Sequence, residues 1–168
     1  MLDVSKFLHD GWVIVDLPNR ITDSILSDIE NKISCGTSAI HNYYDDESVK
    51  KLHVSLSKYF WKQEYSLAIA DAMLPIIQQL IGLDVMVQYN PYLRIARPNK
   101  PQDNIGYHKA TQYGQSPYEL AVHIPFVNLD EKSAICVISG SHLLSEDVFT
   151  TVTPDGYTVK KGSIVVFL

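Results

Sequence analysis

The sequence predicts an α+β fold, or a helix-backed β-sandwich, in which a helical first half precedes a β-rich second half. Up to Gly82 the apolar residues recur at helical spacing, whereas beyond it short apolar runs alternate with Gly, Pro, Asn and Asp. The 168 residues, 46% of them hydrophobic, are enough to build the core of one compact domain. We therefore predict a single domain over residues 1–168, helical over 1–82 and β-rich over 83–168.

The helical half begins with DVSKFLHDG, a short helix that Asp3 or Ser5 would cap and Gly11 would end. WVIVDL follows as a buried strand, since it is short, apolar and β-branched. Three longer stretches then return to helical spacing: ITDSILSDIENKIS, with an isoleucine every four residues, Glu47 to Phe60, and EYSLAIADAMLPIIQQLIG. Pro75 predicts a kink or a restart in the last of these helices.

The β-rich half contains six segments with strand character. They are DVMVQYNPYLRIARP, YELAVHIPFVNL, SAICVISG, VFTTVT, YTVK and GSIVVFL. The last segment closes the chain on apolar residues with no polar tail. Because a strand with an open edge favours pairing, we predict that the chain continues beyond Leu168 or that its last strand pairs with another molecule, as in a homodimer.

Composition argues against several classes of partner. The formal net charge is −5 and no basic run occurs, which disfavours nucleic acid and anionic membranes. No stretch approaches the roughly 20 apolar residues that cross a bilayer, and the N-terminus lacks the apolar run of a signal peptide, so we predict a cytoplasmic protein. Cys35 and Cys136 are far apart in sequence, which favours two reduced, buried thiols over a disulfide.

Five stretches, in the same order along the chain, resemble the phytanoyl-CoA dioxygenase-like family of Fe(II)/2-oxoglutarate-dependent oxygenases. They are FLHDGWVIVDL, similar to the family's opening helix and strand; YLRIARP, similar to the strand before the metal loop; GYHKATQYG, at the place of the metal loop; VHIPFVNLDEKSAICVISGSH, in which Ser139 stands for the proline of a Pro-Gly-Ser-His turn; and KKGSIVVFL, similar to the strand that leads to the second metal histidine. The resemblance implies a double-stranded β-helix, or jelly roll, with N-terminal flanking helices and an incomplete C-terminal part. It also implies a hydroxylase-type oxygenase that acts on a small-molecule substrate, a metabolite.

The resemblance further implies an iron site made of two histidines and one carboxylate, with positions left open for 2-oxoglutarate and oxygen. His108 matches the first histidine. Ala110 stands where the carboxylate is expected. The family's second histidine and its 2-oxoglutarate-binding arginine would follow the last strand, after Leu168. The sequence therefore supplies one of the three expected protein ligands.

Other side chains are candidates for the same site. Arg94 and Arg97 lie on opposite faces of the predicted strand YLRIARP, and either would bind an acid group of the cofactor or form a salt bridge at the rim. His142, in SGSHLL, is either a substitute ligand or a structural part of a polar turn. Four more residues crowd the histidine of the metal loop and either line a small-molecule pocket or serve packing: Tyr107, Thr111, Tyr113 and Tyr118.

No nucleophile elbow, phosphate loop, zinc-ligand spacing or dinucleotide fingerprint occurs, which leaves three functional hypotheses. The first is an Fe(II)/2-oxoglutarate-dependent oxygenase with His108 on iron. The second is a non-catalytic binding or structural protein that keeps a pocket near this histidine. The third is a halogenase-like variant, because related halogenases carry a small residue at the carboxylate position and bind chloride there; it requires a second histidine.

Overall fold

The computed structural model of the chain describes residues 2–16, 19–104, 106–130, 133–144, 155–156 and 163–167. The helices and strands in these ranges are α1 (Val4–Asp10), β1 (Trp12–Asp16), α2 (Asn19–Glu30), α3 (Ile40–Tyr43), α4 (Ser48–Lys62), α5 (Tyr65–Ile81), β2 (Ala121–His123), β3 (Cys136–Val137), β4 (Asp155–Gly156) and β5 (Ser163–Phe167). The chain divides into two compact units: Pro18–Asn104, here the helical unit, and Met1–Leu17 with Ile105–Leu168, here the sheet unit. None of the described helices has both the length and the apolar character needed to cross a membrane.

The helical unit is built around one apolar core. Its buried hydrophobic residues are Ile25, Ile29, Ile33, Val49, Leu52, Leu56, Phe60, Tyr65, Met73 and Ile77. In α2 and α4 these residues recur every three or four positions, so that each helix turns one face inward. The helices predicted over 21–34, 47–60 and 64–82 are therefore confirmed, although α2 ends earlier than predicted, at Glu30.

Helix α5 continues through Pro75, so the predicted restart does not occur. Proline has no N–H to donate, and the helix tolerates one missing bond in its ladder. Gly82 ends the helix, as its position in the sequence suggests. Its φ of +109° lies in a region that favours glycine, and its N–H donates to the carbonyl of Gln78.

The segment after this helix departs from the sequence prediction. Residues 84–98, predicted as a strand, pair with no strand in the described part of the chain. Burial still alternates near the end of the segment, where Leu93, Ile95 and Arg97 are at least half-buried and the residues between them are exposed. The side-chain pattern therefore follows the sequence, but the pairing that would make the segment a strand is absent from the described residues.

The sheet unit begins with α1, whose two ends follow the predicted capping. The side chain of Asp3 accepts a hydrogen bond from the N–H of Lys6 at 2.9 Å. Gly11 ends the helix with φ +80°, and its N–H donates to the carbonyl of Phe7 at 2.7 Å. Phe7 is itself buried, so this short helix contributes one large side chain to the core of the unit.

Three strands of the sheet unit form one antiparallel sheet in the order β1-β5-β2, and β3 pairs antiparallel with β4. Trp12 lies opposite Phe167, and Asp16 lies opposite Ser163. Strand β5 thus has a neighbour on each side, and the open edge predicted for the last strand is not found. The homodimer stays a prediction without that support. Strand β1 is half-buried to exposed along its length, so the prediction that it is buried is wrong.

The turn that contains His142 packs against the end of α1. The N–H of Gly140 donates to the carbonyl of Asp10 at 2.8 Å, and Nε2 of His142 donates to the carbonyl of Leu8 at 3.0 Å. A Cβ atom on Gly11 would lie only 2.3 Å from Nδ1 of His142. The two stretches FLHDGW and SGSH are therefore fitted to each other, and a glycine is needed at their contact.

The jelly-roll prediction is wrong for this structure. A jelly roll packs eight strands in two sheets. The described residues form a three-stranded sheet and a two-stranded pair, in strands of two to five residues, and are otherwise helical or irregular. The predicted strand over residues 84–98 has no partner strand among the described residues. The predicted strands VFTTVT and YTVK lie outside the described residues.

Candidate functional site

The loop around His108 fixes one imidazole in one orientation. Gly106 has φ +71°, and its carbonyl accepts a hydrogen bond from Nδ1 of His108 at 2.9 Å. A carbonyl can only accept, so Nδ1 carries the proton and Nε2 of the neutral ring carries the lone pair. The side chain is exposed, which leaves this lone pair accessible from solvent.

A 3-10 turn over Ala110–Tyr113 follows the histidine directly. The N–H of Lys109 donates to Oε1 of Gln112 at 3.0 Å, and Gly114 closes the turn with φ +80°. The turn places the ring of Tyr113 edge-on to the ring of His108, with the ring centres 5.1 Å apart and the planes at 85°. This contact and the bond to Gly106 both restrain the imidazole.

The other predicted residues of the loop have simple surroundings. Thr111 and Tyr113 are exposed. The phenol of Tyr107 lies beside the thiol of Cys136. The pKa of the phenol is raised, mainly by partial burial and to a smaller extent by this thiol. Cys35 and Cys136 are free thiols, as predicted, but half-buried rather than buried. The loop therefore presents hydroxyl groups and one imidazole at its surface.

These residues do not complete a ferrous site. Ferrous iron in this type of site takes two imidazoles and a carboxylate. Ala110 has no ligand atom, and within the described ranges no three His, Cys, Asp or Glu side chains lie close enough together to hold a metal ion. Among the predicted ligands in the described residues, only His108 has a ring nitrogen oriented to bind a metal. His142, the other ligand candidate, is a structural residue that donates to the carbonyl of Leu8.

The two predicted arginines lie in the helical unit and differ sharply. Arg94 is exposed, whereas the side chain of Arg97 is only 4% exposed. Nε and Nη2 of Arg97 donate to the two carboxylate oxygens of Asp103, at 2.8 and 3.0 Å, and its backbone N–H donates to the same group. The hydrogen bonds to Arg97 hold the pKa of Asp103 below its usual range. This bidentate pair closes the loop over residues 97–103.

A cleft of about 550 Å³ lies beside Arg97. Its lining residues are His41, Tyr44, Asp45, Asp46, Glu47, Arg97, Pro98, Asn99 and Lys100. Oδ1 of Asp46 lies 2.9 Å from Nη1 of Arg97 and 2.8 Å from Nζ of Lys100. Both hydrogen bonds lower the pKa of Asp46, and the bond from Lys100 has the larger effect.

Sequence reasoning missed this cleft. Arg97 is a candidate in the sequence, but Asp46 lies far before it, with α4 and α5 between them, and no periodic pattern indicates that the two residues meet. The one signal in the sequence was the position of Arg97 on the apolar face of YLRIARP, since an arginine rarely enters a core unless a carboxylate accompanies it.

A comparison of the chain with protein-family models, with curated proteins and with solved structures found no match.

Proposed function

We propose that this chain is an Fe(II)/2-oxoglutarate oxygenase-like protein that acts on a small metabolite, with His108 as a metal ligand. The observation that supports the proposal is the hydrogen bond from Nδ1 of His108 to the carbonyl of Gly106. Histidines that bind metal through one ring nitrogen commonly donate the other N–H to a carbonyl or carboxylate, which fixes the tautomer and the direction of the lone pair. The resemblance of GYHKATQYG to the family's metal loop points to the same residue.

The proposal rests on the loop and not on the fold, because a site and not an architecture determines chemistry. The surface around His108 adds the hydroxyl groups of Tyr107, Thr111 and Tyr113, which can hydrogen-bond a small polar substrate. We place the protein in the cytoplasm, where free thiols such as Cys35 and Cys136 persist.

Ala110 limits what this site does. Without a carboxylate ligand, the double positive charge of ferrous iron is less neutralised and the metal is held more weakly. Among the described residues of this loop, His108 is the single candidate ligand.

An anaerobic titration with Fe(II) and 2-oxoglutarate tests the proposal. The chelate of iron and 2-oxoglutarate gives a visible charge-transfer band, and we expect a saturable band near one equivalent. His108→Ala should abolish it, whereas His9→Ala, which removes another exposed imidazole from the same unit, should leave it intact. Absence of the band in folded wild-type protein, or an unchanged band in His108→Ala, would contradict the proposal.

A second candidate function is non-catalytic binding of a small molecule by the same loop. Ala110 favours it, together with the missing group of three metal ligands among the described residues. This candidate predicts ligand binding that is unaffected by a metal chelator. A chloride-dependent shift of the band in the iron titration would instead favour the halogenase-like variant.

A further inference from the structure

We propose that the cleft of the helical unit binds a small carboxylate ligand, whose carboxylate takes the place that Asp46 occupies on Arg97 and Lys100. The proposal goes beyond the function proposed for His108 and does not depend on it.

Arg97 is positioned before any ligand arrives. Asp103 is 12% exposed at its side chain and binds Nε and Nη2 of Arg97 from one side. The backbone N–H of Arg97 donates to Asp103 as well, at 3.1 Å. These bonds fix the plane of the guanidinium group and direct its remaining nitrogen, Nη1, toward the cleft residue Asp46.

Asp46 occupies that nitrogen with a carboxylate that lies at the water-exposed side of the cleft. Its side chain is 55% exposed, and one oxygen, Oδ1, accepts from both Arg97 and Lys100. Water can solvate the Asp46 carboxylate once it leaves, whereas the buried Arg97 needs a replacement oxygen at Nη1, which the carboxylate of a ligand supplies. The position of Oδ1 marks where a ligand oxygen would lie, and the carboxylate group marks the chemistry that fits there.

The other two acids of the cleft do not compete for these cations. Asp45 uses Oδ1 to accept hydrogen bonds from the N–H groups of Glu47 and Ser48, at the start of α4. Glu47 pairs with Lys51 at 3.0 Å. A ligand that displaces Asp46 therefore meets two cations, of which one is balanced by Asp103. The cleft volume of about 550 Å³ suits a small metabolite.

An internal carboxylate that occupies the site lowers the apparent affinity for an external one, by the fraction of molecules in which the site is open. Removal of Asp46 should thus strengthen binding, whereas removal of a neighbouring carboxylate should not. This expectation separates displacement at one position from a general effect of charge.

Isothermal titration with succinate at constant ionic strength, in buffer with a metal chelator, measures the effect. We expect Asp46→Ala to bind succinate about tenfold more tightly than the wild-type protein. Glu47→Ala, the matched control, removes the same charge from the same cleft and should bind as the wild type does. Lys100→Gln should bind more weakly than the wild type, and amide chemical shifts should place succinate at residues 97–100.

Three results would overturn the proposal. In the first, Asp46→Ala binds succinate no more tightly than the wild type, although its circular dichroism is unchanged. In the second, Glu47→Ala binds succinate as tightly as Asp46→Ala does, and in the third, succinate shifts only amide signals outside residues 97–100. Inorganic phosphate is the second probe. Weaker binding of phosphate than of succinate supports a carboxylate site, and equal binding overturns the assignment of ligand class. The chelator keeps these outcomes separate from the iron titration at His108.

Discussion

Of the twelve buried hydrophobic residues in the described part of the chain, ten lie in the helical unit and only Phe7 and Ile138 lie in the sheet unit. The helical unit is held by side chains that interdigitate along α2, α4 and α5. In the described sheet unit, hydrogen bonds join β5 to β1 and to β2, and the turn that contains His142 packs on α1.

The two units depend on different kinds of sequence information, local in the helical unit and long-range in the sheet unit. A helix depends on neighbours three and four residues away, whereas a sheet depends on pairing between distant segments. Strand β1 pairs with β5 across about 150 residues of chain. The two candidate sites differ in the same way, since the His108 loop is local and the cleft beside Arg97 joins two distant loops.

Met73→Ala should give the largest effect, because Met73 is 1% exposed in the core of the helical unit. Truncation of a buried methionine leaves a cavity and lowers the free energy of unfolding by about 2 to 5 kcal/mol. Leu67→Ala on the same helix, where the side chain is 42% exposed, is the matched control and should cost far less. Urea unfolding measures both, and equal losses would mean that α5 does not turn this face inward.

Asp103→Asn should come next, through a dependence on pH. Because Arg97 lowers the pKa of Asp103, this carboxylate stabilises the folded state above its unfolded pKa of about 4. That contribution is lost as the pH falls through the lower, folded pKa. The melting temperature of the variant should be below that of the wild type at pH 7, and the gap should narrow below about pH 4.

Asp84→Asn changes the same formal charge at an exposed position and serves as the control. A pH-independent gap for Asp103→Asn, or a gap of the same size for Asp84→Asn, would count against the buried ion pair.

Gly11→Ala tests the contact that organises the sheet unit. Alanine would carry the strain of φ +80° and a clash with His142, at a cost of about 1 kcal/mol or more. His142→Ala removes the clash, so the double variant should be more stable than the sum of the single losses predicts. Urea unfolding of the four proteins gives the coupling energy, and strict additivity would exclude the contact.

Ser139→Ala should give the smallest loss. It removes the hydrogen bond from Nε1 of Trp12 to Oγ of Ser139, at 2.8 Å, which is expected to contribute about 1 kcal/mol. Ser55→Ala, on the exposed side of α4, should leave the free energy of unfolding almost unchanged. A loss of the same size in both variants would show that this bond does not stabilise the unit.

The sequence predicted the helices well because their signals are local. Each signal involves residues only a few positions apart, as for the isoleucines of α2, the cap at Asp3 and the helix end at Gly82. It predicted the alternating burial before Arg97 but not the missing strand, because spacing along one segment carries no information on whether a partner is available. The resemblance identified His108 and Ala110, yet it also implied a jelly roll that the described residues do not form.

The cleft required three-dimensional information. Arg97 is buried and pairs with two carboxylates, those of Asp103 and Asp46. In the sequence, two long helices, α4 and α5, separate Asp46 from Arg97. Nothing in the local pattern distinguishes Asp46 from its neighbours Asp45 and Glu47. The sequence therefore indicates which arginine is unusual, and the structure indicates which carboxylate can exchange.

The most direct test of the metal-loop account is the affinity of Ala110→Asp for Fe(II), measured by anaerobic isothermal titration beside the wild type. The hydrogen bond to Gly106 orients His108 for a metal, and only the carboxylate is missing from this loop. We therefore expect Ala110→Asp to bind Fe(II) more tightly than the wild type, and we expect His108→Ala to remove that gain. Equal affinity in the wild type and Ala110→Asp, or a gain that survives the loss of His108, would contradict the metal-loop account.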